Sequence, residues 1–221
     1  IMSPVGSYEM LMAAIQGGAN SVYFGIENLN MRSKSSKNFT FEDLKKIVDI
    51  CEEHQVRTYI TLNTVIYDNE QAKMREIVDA AKKHGVTAII AADVSVIQYA
   101  SSQGVEVHIS TQSNVTNIEA VKFYAHFADV MVTARELNLT QVKEIVDTIE
   151  REQIKGPSGE LVQIEIFAHG ALCMAVSGKC YMSLDTMNSS ANRGACLQPC
   201  RRPYEVTDKD GGLKFEVDNE Y

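Results

Sequence analysis

Residues 57–92 read RTYITLNTVIYDNEQAKMREIVDAAKKHGVTAIIAA. The run Arg57–Leu62 is rich in β-branched and aromatic residues and suits a strand. Met74, Ile77, Val78 and Ala81 then recur at spacings of three and four, which places them on one face of a helix spanning Asp68–His84. Ala88–Ala92 (AIIAA) is a short continuous apolar run, as expected of a strand covered on both faces. Strand, helix and strand together make a βαβ crossover, which returns the chain in the same direction and therefore builds a parallel sheet.

The same unit repeats on both sides. Upstream, Ile1–Val5 and Ser21–Gly25 read as strands, and between them Tyr8, Leu11, Met12 and Ile15 form a helical stripe that stops at Gly17 and Gly18. Thr40 with Asp43 marks the start of the next helix, whose stripe is Phe41, Leu44, Ile47, Val48 and Cys51, so Cys51 reads as a core residue. Downstream, Asp93 is placed to cap a short helix, and Glu106–Ser110 is a fifth strand. A helix over Asn117–Phe127 leads into a sixth strand, Asp129–Ala134. Asn138 and Gln141 cap the helix carrying Leu139, Val142, Ile145, Val146 and Ile149, and Val162–Ala168 is the seventh strand, reached through the turn KGPSGE.

Seven near-equal βα units without a Gly-x-Gly-x-x-Gly turn after the first strand favour an α/β TIM-barrel-like domain over a dinucleotide-binding sheet. A full barrel needs eight strands, so the eighth is predicted beyond Tyr221, and a few residues are predicted to precede Ile1. The expected organisation is an incomplete barrel over 1–171, a cysteine-rich segment over 172–202, and a β-hairpin over 203–221 that caps the barrel mouth. The hairpin is read from two alternating runs, Tyr204–Thr207 and Leu213–Val217, around Asp-Lys-Asp-Gly-Gly.

Lys plus Arg is 21 against 29 Asp plus Glu, a net charge of −8, which argues against coating nucleic acid by bulk electrostatics but leaves room for a local basic patch. Lys179, Arg193, Arg201 and Arg202 form such a patch. No apolar run reaches the ~18 residues of a membrane span, so a cytoplasmic protein is expected. Trp is absent, and the nine Met residues read as core filler.

Four of the five cysteines crowd into one stretch, Cys173, Cys180, Cys196 and Cys200, in the order C-x6-C-x15-C-x3-C. A reducing compartment makes paired disulfides the weaker reading. Structural zinc prefers two close C-x2-4-C pairs, and only Cys196-x3-Cys200 fits, whereas iron-sulfur ligand spacings vary widely. Spacing alone ranks iron-sulfur ahead of zinc and leaves both open. In a barrel the chemistry sits on the loops after the strands. Those positions are Ser3 and Gly6, Gly25, Asn63, Asp93, Ser110 and Gln112, Arg135 and Glu136, and His169. His169 reads equally as a proton carrier or a rim residue on a carbonyl, and Arg135 with Glu136 as an anion site or an ordinary ion pair. His54, His84 and His126 fall near helix ends, and His108 reads as a hydrogen-bonded barrel-core histidine.

The run Glu165-Ile-Phe-Ala-His169-Gly-Ala-Leu-Cys173, with Gly178-Lys-Cys180-Tyr-Met-Ser183 and Gly194-Ala-Cys196-Leu-Gln-Pro-Cys200-Arg201, resembles the signature of the collagenase-like peptidase family (peptidase family U). The opening MSPVGSYEMLMAAIQGGANSVYFG resembles it too, so the similarity covers essentially the whole chain. It is most similar to the branch concerned with 5-hydroxyuridine at the tRNA wobble position. The resemblance implies a [4Fe-4S] cluster on Cys173, Cys180, Cys196 and Cys200, and an oxygen-independent hydroxylation of uridine C5. Prephenate is then the required small anionic metabolite, tRNA the partner, and the electron donor is left unidentified. On this reading the catalytic candidates at the barrel rim are Glu165, His169, Arg135 and Glu136, and Lys179, Arg193, Arg201 and Arg202 are candidates to contact RNA phosphates or to offset the charge of the thiolates. Two alternatives stand beside it. One is a peptidase with Cys173 as nucleophile and His169 as base, although neither an H-E-x-x-H nor a Gly-x-Ser-x-Gly motif is present. The other is a partner-binding scaffold fixed by structural zinc.

Overall fold

The computed structural model describes residues 1–31, 33, 38–170 and 172–217. Seven strands, β1 (Met2–Pro4), β2 (Ser21–Gly25), β3 (Arg57–Leu62), β4 (Ala88–Ala91), β5 (Glu106–Ile109), β6 (Val130–Val132) and β7 (Gln163–Glu165), form one sheet in sequential order. All six neighbouring pairs are parallel. The connecting helices are α1 (Tyr8–Gln16), α2 (Phe41–Glu53), α3 (Gln71–Lys83), α4 (Val94–Ser102), α5 (Ile118–Tyr124) and α6 (Leu139–Glu152). None of the helices in the described residues is long and apolar enough to cross a membrane.

Local chemistry starts these helices where the sequence places them. Ser7, Asp93, Asn117 and Asn138 each accept a hydrogen bond from a backbone N–H of the following turn. At α2 the Asp43 carboxylate accepts from the Thr40 N–H and hydroxyl, both at 2.9 Å. These bonds satisfy donors that a helix start leaves orphaned. The Tyr8 hydroxyl donates to the same carboxylate at 2.8 Å and ties α1 to α2, and burial beside Asp43 pushes the Tyr8 phenol up to about 12. His54 and His84 are the C-cap residues of α2 and α3, and Cys51 is fully buried, its thiol raised to about 11 by burial.

The register sorts side chains onto two faces, because paired residues on parallel strands project to the same side. Phe24, Ile60, Ile89 and Val107 align in one row and join Leu44, Ile47, Ile77, Val78 and Ile97 from the helices in the main core. Tyr23, Tyr59, Ala88 and Glu106 align on the opposite face, where a smaller cluster of Tyr59, Ala88 and Ile90 packs with Met2 and Tyr23. That second face is the inside of a curl. Tyr59 on β3 lies within electrostatic reach of Glu165 on β7, and Glu165 within reach of Ile1 at the start of β1. In a flat sheet four strand spacings would separate β3 from β7 by about 19 Å. The sheet is therefore an open barrel whose edges are β1 and β7. The predicted eighth strand, placed beyond Tyr221, lies outside the described residues, as do Ala171 and the last four residues of the expected hairpin segment.

Three expectations change at the margins. The sixth strand is confined to Val130–Val132, because the Asp129 carboxylate is taken up by the Ser158 N–H and hydroxyl at 3.1 and 2.6 Å. The seventh is Gln163–Glu165 and does not reach Ala168: as an edge strand it pairs only with the three residues of β6, and Ile166 and Phe167 beyond it are exposed. The hairpin of β8 (Tyr204–Thr207) and β9 (Lys214–Val217) forms as expected. Every residue of β8 is exposed, so no cap over the barrel mouth is seen among the described residues; Tyr204 joins the hairpin to the preceding segment by donating to the Pro199 carbonyl at 2.7 Å.

Candidate functional site: a cysteine-bearing lid on the barrel mouth

The segment after β7 folds back across the loops that follow β2, β3, β5 and β6, at the C-terminal ends of the strands. Four separate attachments hold it there. Ser33, after β2, donates through its hydroxyl to the Gly194 carbonyl at 3.2 Å. After β3, Glu70 receives Arg193 in two parallel bonds of 2.7 and 2.5 Å, Arg193 also donates to the Val65 carbonyl at 2.6 Å, and its guanidinium stacks 4.0 Å from the Tyr67 ring. After β5, the Asn114 amide donates to the Ser177 carbonyl at 2.8 Å. After β6, Arg135 donates to the Ser177 hydroxyl at 3.2 and 2.7 Å and to the Ala175 carbonyl at 3.1 Å.

Close backbone approach makes one of these joints possible. Asn30 is buried over Gly25, where a Cβ would fall 2.3 Å from its side-chain nitrogen. The Asn30 carbonyl in turn meets Gly194, which has φ +75°, and a Cβ at Gly194 would stand 2.1 Å from that oxygen. Only glycine combines that conformation with that clearance.

Within the lid, a short helix α7 (Met182–Met187) and two 3-10 turns, Ala191–Arg193 and Pro199–Arg201, bring the cysteine-bearing stretches next to one another. The Cys180 N–H donates to Asn192 at 3.0 Å, the Leu197 N–H to the Ser183 hydroxyl at 3.0 Å, and the Arg201 guanidinium to the Leu172 carbonyl. Cys173 is exposed, Cys180, Cys196 and Cys200 are partly so, and all four are free thiols. As a donor set, four unpaired cysteines suit an iron-sulfur centre or zinc. As geometry they are not gathered: among the described residues no three His, Cys, Asp or Glu side chains converge to hold a metal ion. The fit is one of chemistry and chain proximity, without an assembled ligand sphere.

The remaining predicted residues separate into distinct places. Arg135, read as half of an anion site or of an ion pair with Glu136, gives its hydrogen bonds to Ser177 and Ala175 and so clamps the lid, and Glu136 beside it is exposed. Arg193 is likewise engaged by Glu70. His169 is exposed just beyond β7. Lys179, Arg201 and Arg202 are exposed on the lid. Glu165 is inside the curl, where burial raises its pKa against the opposing pull of His108. His108 is 3% exposed, is hydrogen-bonded at Nε2 to Glu106 at 2.8 Å and lies tilted at 47° to the Tyr59 ring with centroids 4.8 Å apart, but its Nδ1 is buried without a partner among the described residues, so it is only half satisfied. Residues that sequence reasoning passed over are Asn30, Ser33, Glu70, Asn114 and Ser177, which hold the lid down. Their only local signals are the long polar loop after β2 and the left-handed backbone of Asn114 at φ 52°.

The Glu70–Arg193 pair predicts an acid limit for lid docking. Hydrogen bonds from Arg193 and from the Tyr67 N–H hold the Glu70 carboxyl below its usual range. A lowered folded-state pKa contributes stability that is present above the unfolded value and is lost as pH falls through the folded one. The protection of amides over residues 190–195, taken relative to the intrinsic exchange rate at each pH, is therefore expected to fall below about pH 4, and Glu70→Gln is expected to show that lowered protection at neutral pH. Unchanged protection in the variant would remove the pair from lid docking.

The family model described as Peptidase family U32 matches residues 6–221. The chain belongs to peptidase family U32. Over its full 221 residues it is 62% identical to a protein named collagenase from Porphyromonas gingivalis, covering 53% of that protein. It is 32% identical to the 23S rRNA 5-hydroxycytidine C2501 synthase of Escherichia coli, with 96% of this chain and 30% of that protein aligned. To tRNA hydroxylation protein P1 of Bacillus subtilis it is 30% identical, over 96% of this chain and 48% of the relative. The chain thus spans about half or less of these U32 relatives. A solved U32 peptidase structure superimposes with a TM-score of 0.57 at 13% identity, over 78% of this chain and 93% of that one, which supports the shared barrel-like fold.

Proposed function

We propose that this chain is the barrel part of an RNA-hydroxylating enzyme that carries a [4Fe-4S] cluster on Cys173, Cys180, Cys196 and Cys200. The observation that carries the reading is the lid: four free thiols on one segment, held across the C-terminal ends of the strands, where barrel enzymes do their chemistry. Proteolysis through a Cys173 nucleophile needs one thiol and a base bonded to it, and leaves the other three without a role. The names of the two relatives at 30–32% identity, covering 96% of this chain, support an RNA substrate. The hydroxylation is proposed to be oxygen-independent, at C5 of a pyrimidine, most similar to wobble uridine of tRNA, with prephenate as the anionic metabolite that supplies the oxygen atom and is reduced in exchange, which balances the two-electron oxidation of C5–H to C5–OH.

The cluster supplies electron transfer. The chain's own residues supply position: Arg135, Asn114, Arg193 and Gly194 seat the lid, and the barrel mouth beneath it takes a base that must leave its stack to expose C5. The peptidase reading is kept as the second because the 62% identical relative is named collagenase and because Cys173 is exposed and unpaired.

One experiment tests both. The full-length protein purified without oxygen is expected to be brown, with about four irons and four sulfides per chain. RNA from cells lacking the protein is expected to lose a hydroxylated pyrimidine when its nucleosides are separated by mass. A colourless protein with one zinc or no metal that cleaves denatured collagen, with RNA modification intact in the deletion, would reverse the order of the two readings.

A further inference from the structure

Resting on the RNA reading, the inference concerns how the substrate is gripped. Residues 172–202 carry Lys179, Arg193, Arg201 and Arg202 against a single acidic residue, Asp185, in a chain whose net charge is −8. The lid is thus a basic island on an acidic protein. Arg193 is neutralised by Glu70, and Arg201, exposed and still charged, has its guanidinium held on the Leu172 carbonyl. Lys179 and Arg202 are exposed and, among the described residues, pair with no carboxylate.

These two cations flank α7. Lys179 stands just before it, and the Arg202 guanidinium lies 3.9 Å from the sulfur of Met187 at its end. Between them Tyr181 is 67% exposed, with Met182 and Leu184 exposed beside it, and the one acid on this helix, Asp185, is exposed next to Leu184. A solvated face with a bare aromatic ring between two unpaired cations complements one kind of polyanion: bases that offer a free π-face and phosphates spaced on either side. A duplex hides its base faces, and an acidic or purely apolar protein partner would use only half of the surface.

We propose that the α7 face of the lid binds single-stranded RNA, with one base stacked on Tyr181 and the adjoining phosphates held by Lys179 and Arg202. The grip lies beside the barrel mouth, so a neighbouring nucleotide is presented to it unstacked.

The test is fluorescence anisotropy of the full-length protein with a labelled single-stranded RNA oligonucleotide and with the duplex of the same sequence. A stacked base contributes about 1–3 kcal/mol, so Tyr181→Ala is expected to weaken single-strand binding by about 5- to 150-fold. Tyr181→Phe, which keeps the ring, is expected to restore it. Arg202→Ala is expected to lower affinity for all sequences and to flatten the slope of log affinity against log salt by about 0.7. Equal binding by Tyr181→Ala, equal affinity for the duplex, or a dimer in sedimentation that Tyr181→Ala dissociates would overturn the proposal. Unchanged resistance of the lid to proteolysis in Tyr181→Ala confirms that a loss is not unfolding. If the parent protein hydroxylates RNA while Tyr181→Ala binds normally, this inference fails alone; if the parent protein neither binds nor modifies RNA, the functional reading fails with it.

Discussion

Cys196→Ser is expected to lose its iron and its RNA hydroxylation together, with the barrel still folded. Cys196 lies in the lid, between the turn that carries Arg193 and the turn that carries Cys200, and takes no part in the main apolar core. Its substitution removes one of four thiol donors while leaving the seven-stranded sheet and its helices untouched. Changes merely near a metal site cost about 10–100-fold, so removal of a ligand is expected to lower hydroxylation by more than about 100-fold. The thermal transition of the barrel should move little. The peptidase reading makes the opposite forecast: cleavage should survive Cys196→Ser and vanish in Cys173→Ser. Measuring iron, modified nucleosides and collagen cleavage in both variants separates the two, and hydroxylation retained without iron would sink the cluster proposal.

Gly194→Ala is expected to release the lid. The added Cβ would meet the Asn30 backbone oxygen at 2.1 Å, and φ +75° is a conformation that costs an L-residue about 1–2 kcal/mol before any clash. The obstacle is backbone buried over Gly25, so it cannot swing aside as a flexible side chain would. A loss of about 2 kcal/mol in lid docking raises the open population about 30-fold. When opening is fast relative to cleavage, proteolysis tracks that population. Cuts within residues 172–202 should therefore accelerate about 30-fold, while the barrel, whose main core lies between the sheet and its helices, resists as before. If the lid of Gly194→Ala resists proteolysis like that of the parent chain, the Gly194–Asn30 approach is not what seats it.

The order and direction of the strands, the helix starts and the buried stripes follow from local information. Apolar residues at spacings of three and four, and caps such as Thr40 with Asp43 or Asn138 with Gln141, act within a few residues of chain, so the sequence alone determines them. The crowding of four thiols between β7 and the hairpin is equally a property of the sequence. Interactions between residues far apart are different in kind. Nothing local to Arg193 says that Glu70, more than a hundred residues earlier, will take its guanidinium, or that Arg135 will give its hydrogen bonds to Ser177. Those pairings exist because the sheet curls and sets the loops after β2, β3, β5 and β6 at one rim. The same curl decides that Tyr59, His108 and Glu165 share an interior, while Lys179 and Arg202 stay exposed on the lid with no carboxylate partner among the described residues. Sequence determined which groups are present and how each element is built; only the tertiary structure decided which charges are consumed inside the molecule and which remain to act.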